Sequence, residues 1–496
     1  MFIDVIDILF LGALALPLLN QLGIRIGVKK LRETIAVLVL ILSMYLVYTL
    51  YLSIQIGIQI LPLPFTPFGS CFEIDMLSVF MAAVFIFIGL MSAIFSVRYM
   101  EHDTGLTEYY TALILIVAGM VGLAFAGDFF SFFIFWELMC ISSYVLVAFR
   151  KERWEPVEAG FKYLIMSSAG SALLLLAMSL LYGMTGTLNF AGLTYAMRSA
   201  PQSSNPWLLV TLALIISGFG VKAAIVPYHT WLPDAHPAAP SPVSSILSGV
   251  MIKTGVYGLV RILILVFAPV EAIWQLSLTS LAVLTMFVGN LMALVQTDLK
   301  RLLAFSSIAQ IGYIIFGFSL GTISGLTGSM LHVLNHAVMK GLLFMCSGSF
   351  LHASGTRDLL ILRGIGRKMP VSGAVFTVAC LAITGVPTLN GFVSELYIIM
   401  AGIEASMYLP TALMVVNIAI SAAYYIRIIQ ITMLREPSEK LAGVHEVPIS
   451  MMTPMLILVS LCLIIGLFPG PFIELAQKAA HAALNTADYV KPFIRG

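Results

Sequence analysis

Charged residues are scarce in this chain, and their scarcity excludes most soluble folds. Of 496 residues, 10% are Asp, Glu, Lys or Arg and 60% are hydrophobic, and the mean hydropathy is +1.02. Soluble domains carry about 25% charged residues. The composition therefore predicts a polytopic membrane protein, and a net charge of +2 gives no reason to expect a nucleic-acid partner.

Motifs that hold a cofactor are also missing. The five cysteines are scattered and form no CxxC pair, so the sequence predicts no iron–sulfur cluster, zinc site or disulfide framework. No GxxxxGK loop and no strand–GxGxxG–helix unit occurs, which argues against ATP and dinucleotide sites. Asp4 and Asp7 replace the basic start of a cleavable signal peptide. We expect no cofactor and no metal in this chain.

Long apolar runs make up most of the sequence. Spans of ~20 residues suit a membrane helix, and they predict an all-α fold of about 14 transmembrane helices. The expected helices are 5–24, 34–55, 76–97, 109–127, 129–149, 161–184, 206–229, 242–265, 274–296, 302–319, 325–350, 373–404, 409–433 and 450–469. The expected units are an N-terminal three-helix segment (1–107), two five-helix repeats (108–268 and 269–435) and a last helix with its tail (436–496).

Basic residues alternate from loop to loop along this helix map. The loops that follow even-numbered helices hold very few basic residues, and Arg198 is the clearest case. The positive-inside rule then predicts a multi-pass protein of the cell (inner or cytoplasmic) membrane with its N-terminus outside. The basic residues that follow odd-numbered helices are Arg25, Lys29, Lys30, Arg32, Arg98, Arg150, Lys151, Arg153, Lys300, Arg301, Arg357, Arg363, Arg367, Lys368, Arg435 and Lys440.

Two predicted helices contain a proline close to glycines. Pro227 lies in helix 7, and Pro387 lies between Gly385 and Gly391 in helix 12. Proline removes a backbone donor and clashes with the preceding turn, so both helices should be broken or kinked. Because five is an odd number, helices 4–8 and 9–13 would enter the membrane from opposite sides, as in the inverted repeats of transporters. The alternative is two unrelated proline kinks.

Ionisable side chains interrupt several of the apolar spans. An ionised side chain at the bilayer centre costs roughly 2.5–3.5 kcal/mol, so five would cost roughly 12–18 kcal/mol if unpaired. Such charges normally have partners and mark a path for ions or protons. The five are Glu137, Lys222, Lys253, Lys340 and Glu395.

Glu137 and Lys222 are interpreted as a pair that controls the proton on the lysine. A nearby carboxylate favours the charged lysine and desolvation disfavours it. Lysine ordinarily titrates near 10.4, so work near neutrality needs a shift of about three units, or roughly 4 kcal/mol. Opening and closing the pair would then release and bind a proton. The alternative is a structural ion pair.

His332, His336 and Lys340 stand four residues apart on one helix. Each step of four drifts only ~40° around the axis, so the three side chains share a face. We interpret the row as a proton wire. Glu395, after the break in helix 12, would be its last proton holder, or else a structural partner of a cation on a neighbouring helix.

A polar loop precedes Lys253 in the sequence. It contains His229, Asp234 and His236, and we interpret it as a turn at the membrane edge and a candidate site of proton uptake. A metal site is the alternative, although nothing in the spacing of these residues fixes a ligand set.

Several stretches together resemble the antiporter-like membrane subunits of the respiratory complex I superfamily. That superfamily includes NADH:quinone oxidoreductases, Mrp-type sodium/proton antiporters and energy-converting membrane hydrogenases. The resemblance covers about residues 75–435 and is specific in combination. The stretches are FIFWELMCISSY (133–144), GVKAAIVPYHTWLPDAHPAAPSPVSSILSGVMIKTGVYGL (220–259), DLKRLLAFSSIAQIGYI (298–314), HVLNHAVMKGLLFMCSG (332–348) and GVPTLNGFVSE (385–395).

The resemblance implies fourteen helices with two inverted five-helix repeats. It likens Glu137 and Lys222 to the family's Glu–Lys pair and Lys253 to its bridging lysine. His332, His336 and Lys340 then match the central hydrophilic axis, and Glu395 matches a terminal position where members carry Lys or Glu. About 27 residues follow the last predicted helix, so the long lateral helix of the largest member is not expected.

The function implied by the resemblance is proton translocation within a multisubunit complex. Implied partners are homologous antiporter-like and small membrane subunits, the lipid bilayer and a peripheral redox arm with iron–sulfur clusters. One alternative is a sodium/proton antiporter subunit without redox activity, with Na⁺ bound near Asp128 or Glu137. Another is a structural anchor that has kept its charges. A self-sufficient quinone-reducing enzyme is excluded by the lack of redox ligands.

Overall fold

The structure is a computed structural model. It describes residues 2–26, 30–54, 58–62, 70–199 and 205–495, so Lys29 of the first basic loop lies outside the described residues. Within these ranges nearly every element is a helix, as the apolar runs predict.

Three helices and one small sheet form the N-terminal part. The elements are α1 (Phe2–Ile26), α2 (Leu31–Ser53), β1 (Gln59–Pro62), β2 (Cys71–Ile74) and α3 (Met76–Tyr99). The strands are antiparallel, with Ile60 opposite Glu73. These strands were not predicted, because a 20-residue hydropathy window does not resolve four-residue strands. α3 begins with a capping box: the Asp75 carboxylate accepts from Ser78 N, and Ser78 Oγ accepts from Asp75 N.

The described residues of the region predicted as the first repeat form eight helices. The elements are α4 (Leu106–Phe125), α5 (Phe129–Val147), α6 (Trp154–Thr185), α7 (Phe190–Ser199), α8 (Pro206–Ala223), α9 (Leu232–Ala238), α10 (Ser241–Ile246) and α11 (Ile252–Val266). A π-helical turn, Leu247–Met251, joins α10 to α11 within one apolar span. The short helix α7 was not predicted, since it is too short and too polar to resemble a span.

The rest of the chain continues in the same way. The second predicted repeat comprises α12 (Glu271–Leu294), α13 (Leu299–Ser319), α14 (Ile323–Ser354), α15 (Ile365–Lys368), α16 (Pro370–Ile383), α17 (Asn390–Glu404) and α18 (Tyr408–Ile429). The C-terminal elements are α19 (Ile449–Leu467), α20 (Gly470–Leu484) and α21 (Thr486–Arg495). α20 packs on α14 and α3, so the tail is part of the folded protein.

Twelve helices in the described part of the chain are long and apolar enough to cross a membrane. The protein is therefore a multi-pass membrane protein. The predicted spans 325–350 and 373–404 fall outside these twelve. The first corresponds to α14, which carries the polar row of His332, His336 and Lys340, and the second is divided between α16 and α17.

Both predicted helix breaks are present, and they share one backbone pattern. Pro227 lies between α8 and α9, and Pro387 lies between α16 and α17. In each break one residue just after the helix is left-handed, Ala224 at φ 56° and Gly385 at φ 73°. An amide then donates back to a carbonyl five residues earlier in both breaks: Ile225 N to Gly220 O, and Val386 N to Leu381 O.

Other features are matched between the two predicted repeats. α6 and α14 each have 32 residues and end at a left-handed glycine, Gly186 and Gly355. α5 and α13 each begin at an aspartate N-cap, Asp128 and Asp298, whose carboxylate accepts from the third following amide. Matched caps, lengths and breaks support the predicted repeat.

The buried charges do not occupy matched places in the two breaks. Lys222 lies in the last turn of α8, before the first break, whereas Glu395 lies in α17, after the second. The two breaks are alike in their backbone, but Lys222 and Glu395 are not in corresponding positions.

Candidate functional site: a buried row of titratable side chains

Lys222 lies in a cage of aromatic rings at the end of α8. The residue is 1% exposed, and its Nζ donates a hydrogen bond to the Tyr163 hydroxyl at 3.0 Å. Nζ also lies 4.9 Å from the ring centroid of Tyr163, 5.6 Å from that of Trp136 and 5.7 Å from that of Tyr144. Contacts of this kind stabilise a desolvated ammonium by about 2 kcal/mol, so the cage suits a charged lysine.

The helix break builds one wall of this cage. Trp231, which follows the break, stacks on Tyr163 with ring centroids 4.1 Å apart. Its Nε1 donates to Val221 O at 2.8 Å, which holds the chain after the break against the end of α8. The Tyr163 hydroxyl also lies 2.8 Å from Ser143 Oγ. The acceptor for Lys222 is therefore held from two sides.

Glu137 does not contact Lys222 directly. Its Oε1 accepts a hydrogen bond from Ser171 Oγ at 2.5 Å, and the same Ser171 Oγ accepts from Trp136 Nε1 at 3.1 Å. Among the described residues no ion pair within 4.0 Å joins Glu137 to Lys222. The expected contact pair is replaced by a link through the Trp136 indole, because the aromatic rings occupy the space next to the ammonium.

Lys253 lies on α11, directly after the π-helical turn. It is fully buried, and its Nζ donates to Ser248 O of that turn at 2.5 Å. Nζ also lies 2.5 Å from Nδ1 of His336 on α14. The other ring nitrogen of His336 has no hydrogen-bond partner among the described residues. The predicted bridging lysine and the predicted central row are therefore in contact.

α8 and α11 touch backbone to backbone beside these two lysines. A Cβ at Gly255 would lie 2.7 Å from both Ala223 N and Phe219 O, so only glycine permits this approach. No hydrogen-bonded path among the described residues runs from Lys222 to Lys253. Between them, the Tyr163 hydroxyl meets the Met251 sulfur at 3.0 Å.

His332 connects the row to helices α13 and α17. Its Nε2 lies 2.6 Å from Gln310 Oε1, and its Nδ1 lies 2.9 Å from Ser394 Oγ. The rings of His332 and His336 are stacked, with centroids 6.2 Å apart. Both histidines are completely buried. The spacing of four on α14 thus places the two imidazoles one above the other, as the sequence predicts.

Glu395 lies next to Gln310 and is 3% exposed. The Gln310 side chain interacts with its carboxyl group, although Gln310 Nε2 and Glu395 Oε1 have no full hydrogen bond to any described residue. A Cβ at Gly385 would collide with Glu395 Oε2, so the left-handed glycine of the break makes room for this carboxyl. Gln310, which the sequence analysis did not select, is the link between His332 and Glu395.

Lys340 is also buried, and its hydrogen-bond partners lie outside the contacts that lead to Glu395. Its Nζ donates to Leu303 O at 2.9 Å and to the Tyr425 hydroxyl at 3.1 Å. The Tyr425 hydroxyl lies 2.6 Å from Ser306 Oγ. The order of contacts is therefore Lys253, His336, His332, Gln310 and Glu395, with Lys340 as a side branch.

The three polar residues of the loop before Lys253 do not form one cluster. His236 is fully buried, and neither of its ring nitrogens has a partner among the described residues. Asp234 forms surface ion pairs with Lys162 at 3.4 Å and Arg301 at 3.2 Å. His229 is half-buried. In the described ranges no three His, Cys, Asp or Glu side chains are close enough to hold a metal ion.

Lys300 is a buried lysine that the sequence analysis assigned to a basic loop. It is fully buried in the first turn of α13, and its Nζ donates to Ala239 O at 2.6 Å. A polar cavity of about 400 Å³ lies against the same Ala239, lined also by Arg150, Asp298 and Arg357. Arg301 follows Lys300 directly, and a count of basic residues per loop does not distinguish a buried lysine from an exposed one.

Arg261 is a second buried cation that the sequence analysis missed. On α11 it donates to both carboxylate oxygens of Asp75, at 2.6 and 2.8 Å, and the two side chains are 2% and 1% exposed. The sequence pattern that identified Lys253 was also present at Arg261, which likewise stands between apolar residues.

Two family profiles match most of this chain. One, described as "NADH:quinone oxidoreductase/Mrp antiporter, TM", matches residues 126–421. The other, described as "NADH-Ubiquinone oxidoreductase (complex I), chain 5 N-terminus", matches residues 67–110. The first profile includes every residue of the row and both helix breaks.

Similar proteins support the same relationship. F(420)H(2) dehydrogenase subunit N of Methanosarcina mazei is 34% identical over 425 residues, which is 84% of this chain and 86% of the relative. A chain of the membrane-bound sulfane sulfur reductase, an archaeal respiratory membrane complex, superposes with a TM-score of 0.90 at 30% identity, with 99% of each chain covered. A chain of the Mrp complex from Dietzia sp. DQ12-45-1b superposes with a TM-score of 0.88 at 25% identity, covering 98% of this chain and 99% of that one.

Proposed function

Because this chain belongs to the NADH:quinone oxidoreductase/Mrp antiporter family, we propose that it is a proton-translocating, antiporter-like subunit of a multisubunit membrane complex. Protons move through the buried row of lysine, histidine and glutamate side chains near the membrane midplane. A redox module formed by partner subunits supplies the energy. The complex lies in the cell membrane, with the N-terminus of this chain outside, as the basic loops indicate.

The observation that carries this proposal is the run of contacts from Lys253 to Glu395. Donors and acceptors follow one another from Lys253 Nζ to His336 and from His332 to Gln310, all of them buried. A fully buried polar run of this kind costs stability unless each group is satisfied. Several groups in it are not satisfied. A structural role would favour complete pairing, whereas proton transfer needs free lone pairs.

Lys222 is the proposed control point of the row. Its ammonium has aromatic rings and a tyrosine hydroxyl around it, and no carboxylate of the described residues forms an ion pair with it. A carboxylate that approaches stabilises the charged form, and one that withdraws leaves desolvation to favour release of the proton. Glu137, held by Ser171 on the far side of Trp136, is the carboxylate that would move.

Proton uptake is proposed at the polar cavity beside Ala239. Ala239 lines this cavity, and the buried Lys300 donates a hydrogen bond to Ala239 O. His236, with both ring nitrogens unpaired, lies three residues before Ala239 in the sequence and is fully buried. In this route His236 receives protons and Lys300 keeps other cations out, while Asp234 and His229 lie nearer the surface.

A neighbouring membrane subunit is proposed to cover Glu137. This glutamate is only half-buried, and Ile134 and Ile141, one turn on either side of it along α5, are 52% and 58% exposed. An ionised carboxylate in the middle of a lipid-facing helix is costly. A polar or basic surface on an adjacent subunit would remove that cost and would link the subunit to the Glu137–Lys222 switch.

Two kinds of complex remain as candidates. Relatives named as a dehydrogenase subunit and as part of a sulfane sulfur reductase favour a redox-driven pump. The superposition on the Mrp complex favours the second candidate, a sodium/proton antiporter subunit without redox partners. The two differ in what drives the ion and in the partner chains.

The experiment is to purify the intact complex from its host membrane and to reconstitute it in vesicles. Partner chains are identified by mass spectrometry, and internal pH is followed with a dye. The proposal expects iron–sulfur partner chains and a pH change that needs electron flow but no Na⁺. A pH change driven by a Na⁺ gradient alone, with no redox chain present, would establish the antiporter instead.

A further inference from the structure

Glu73 is a buried carboxyl group outside the proposed row. It belongs to β2, which immediately precedes α3 at the face opposite the basic loops, and it is 2% exposed. Its Oε1 has no hydrogen-bond partner among the described residues. Burying an unpaired carboxylate is expensive, and such a group normally becomes protonated instead. An unpaired, buried glutamate therefore needs an explanation.

Arg261, the cation near Glu73, is already paired with Asp75. Arg261 donates Nη1 and Nη2 to the two oxygens of Asp75, and Nε and Nη2 to the Tyr257 hydroxyl. Asp75 also accepts from Ser78 N at the start of α3. One guanidinium thus neutralises one carboxylate, and ionised Glu73 would leave this buried cluster with one excess negative charge.

The other titratable groups around Glu73 do not supply the missing charge. Tyr489 of α21 lies close to its carboxyl group, and the Tyr489 hydroxyl has no full hydrogen bond to any described residue. Cys71 is on the same strand, near Asp128, whose carboxylate accepts from Cys71 N and Ser131 N.

The balance of these groups favours the neutral acid. Burial raises the pKa of Glu73 to about 8, and the nearby Asp75 acts in the same direction, while Tyr489 and Arg261 oppose the change. The Asp75 carboxyl behaves in the opposite way: burial disfavours its ionised form, but Arg261 holds its pKa below the ordinary value. The surroundings of Glu73 therefore favour the neutral acid at neutral pH, whereas those of Asp75 favour the carboxylate.

We propose that Glu73 is a second proton-binding site, separate from the buried row and facing the opposite side of the membrane from the basic loops. It takes one proton from the adjoining aqueous phase to form the neutral acid and returns it as the phase becomes alkaline. When ionised, Glu73 competes with Asp75 for Arg261. Because Arg261 is on α11, eight residues after Lys253, the charge of Glu73 acts on the helix that carries the bridging lysine.

The test is infrared difference spectroscopy of the intact purified complex between acid and alkaline buffer. A protonated carboxyl group gives a carbonyl band that disappears when the group ionises. We expect Glu73→Gln to remove one such band. Glu33→Gln is the matched control, since Glu33 is also a buried glutamate with an unpaired Oε2, but it lies at the start of α2 beside Arg32. If Glu73→Gln removes no carbonyl band, the proposal is overturned.

A second variant separates proton binding from a structural role. Tyr489→Phe keeps the ring and removes the hydroxyl that favours ionised Glu73, so the midpoint of the Glu73 band should move to higher pH. A midpoint that moves instead with Na⁺ concentration overturns the proposal in favour of a sodium site. An unmoved midpoint in Tyr489→Phe would also contradict it. None of these readouts depends on whether the chain pumps protons.

Discussion

Lys253 Nζ and His336 Nδ1 lie 2.5 Å apart at the start of the buried row. A contact of this length holds one proton between the two nitrogens: either the ammonium donates to a neutral imidazole, or imidazole Nδ1–H donates to a neutral amine. Ser248 O accepts a further hydrogen bond from Lys253 Nζ at 2.5 Å. The π-helical turn that presents this carbonyl therefore helps to hold the lysine against His336. π-Turns are frequent at functional sites for such reasons.

His332 is the residue whose loss should interrupt the row most directly. His332→Ala removes the contacts to Gln310 Oε1 and Ser394 Oγ, so proton transport in vesicles should fall by about a hundredfold, the usual contribution of a positioned acid–base group. His352→Ala is the control, because His352 is on the same helix but near its end and outside the row. Equal loss in both variants would contradict the relay.

Lys222 should be essential for transport but not for assembly. Lys222→Ala removes the only charge from the aromatic cage and leaves its rings in place. Proton pumping should be abolished while the complex still assembles, as judged by native electrophoresis and a dye assay. Lys478→Ala, which removes an exposed lysine paired with Glu474 on α20, should leave pumping unchanged. Unchanged pumping in Lys222→Ala would refute the proposed control point.

Gly255 should be intolerant of even one methyl group. In Gly255→Ala the added Cβ would meet Ala223 N and Phe219 O at 2.7 Å, which forces α8 and α11 apart at a cost of about 1–3 kcal/mol. Thermal unfolding of the purified complex should begin at a lower temperature, and pumping should fall because Lys222 and Lys253 are displaced. Gly183→Ala in α6, where the new Cβ meets nothing within 4 Å, should be neutral or slightly stabilising.

Removing Arg261 alone should destabilise the folded protein more than removing Arg261 together with Asp75. Arg261→Gln leaves Asp75 buried without its cation, and breaking such a pair costs about 3–5 kcal/mol. The double variant Arg261→Met with Asp75→Asn should recover much of that loss, since it removes both charges of the buried pair and asparagine can still accept from Ser78 N as the N-cap of α3. Thermal stability of the four combinations measures the difference, and additive losses would indicate that the pair is not coupled.

The stability of the folded chain should fall as the pH rises from acid to alkaline. A folded-state pKa of Glu73 raised from 4.5 to about 8 means that its contribution to stability is complete below about 4.5. That contribution is lost as the pH rises through about 8. A shift of this size corresponds to a loss of at most about 5 kcal/mol. Melting temperatures of wild type and Glu73→Gln at mildly acid and mildly alkaline pH test this, and identical pH dependence would contradict it.

The sequence by itself determined the helix map and both helix breaks. Apolar runs of ~20 residues identify membrane helices because lipid leaves no other way to satisfy the backbone. Proline removes a donor wherever it occurs, so Pro227 and Pro387 marked the breaks without any tertiary information. The alignment of His332 and His336 also followed from the sequence, since residues four apart share one face of a helix.

The partners of the buried charges were decided only by the tertiary structure. Lys222 meets Tyr163 rather than Glu137, Lys300 turns inward to Ala239, and Arg261 pairs with Asp75 across 186 residues of sequence. Each partner belongs to another part of the chain, and the hydropathy or residue spacing of one helix does not show which neighbour a side chain will face. Contact depends on how helices pack and on where a glycine such as Gly255 lets two of them approach.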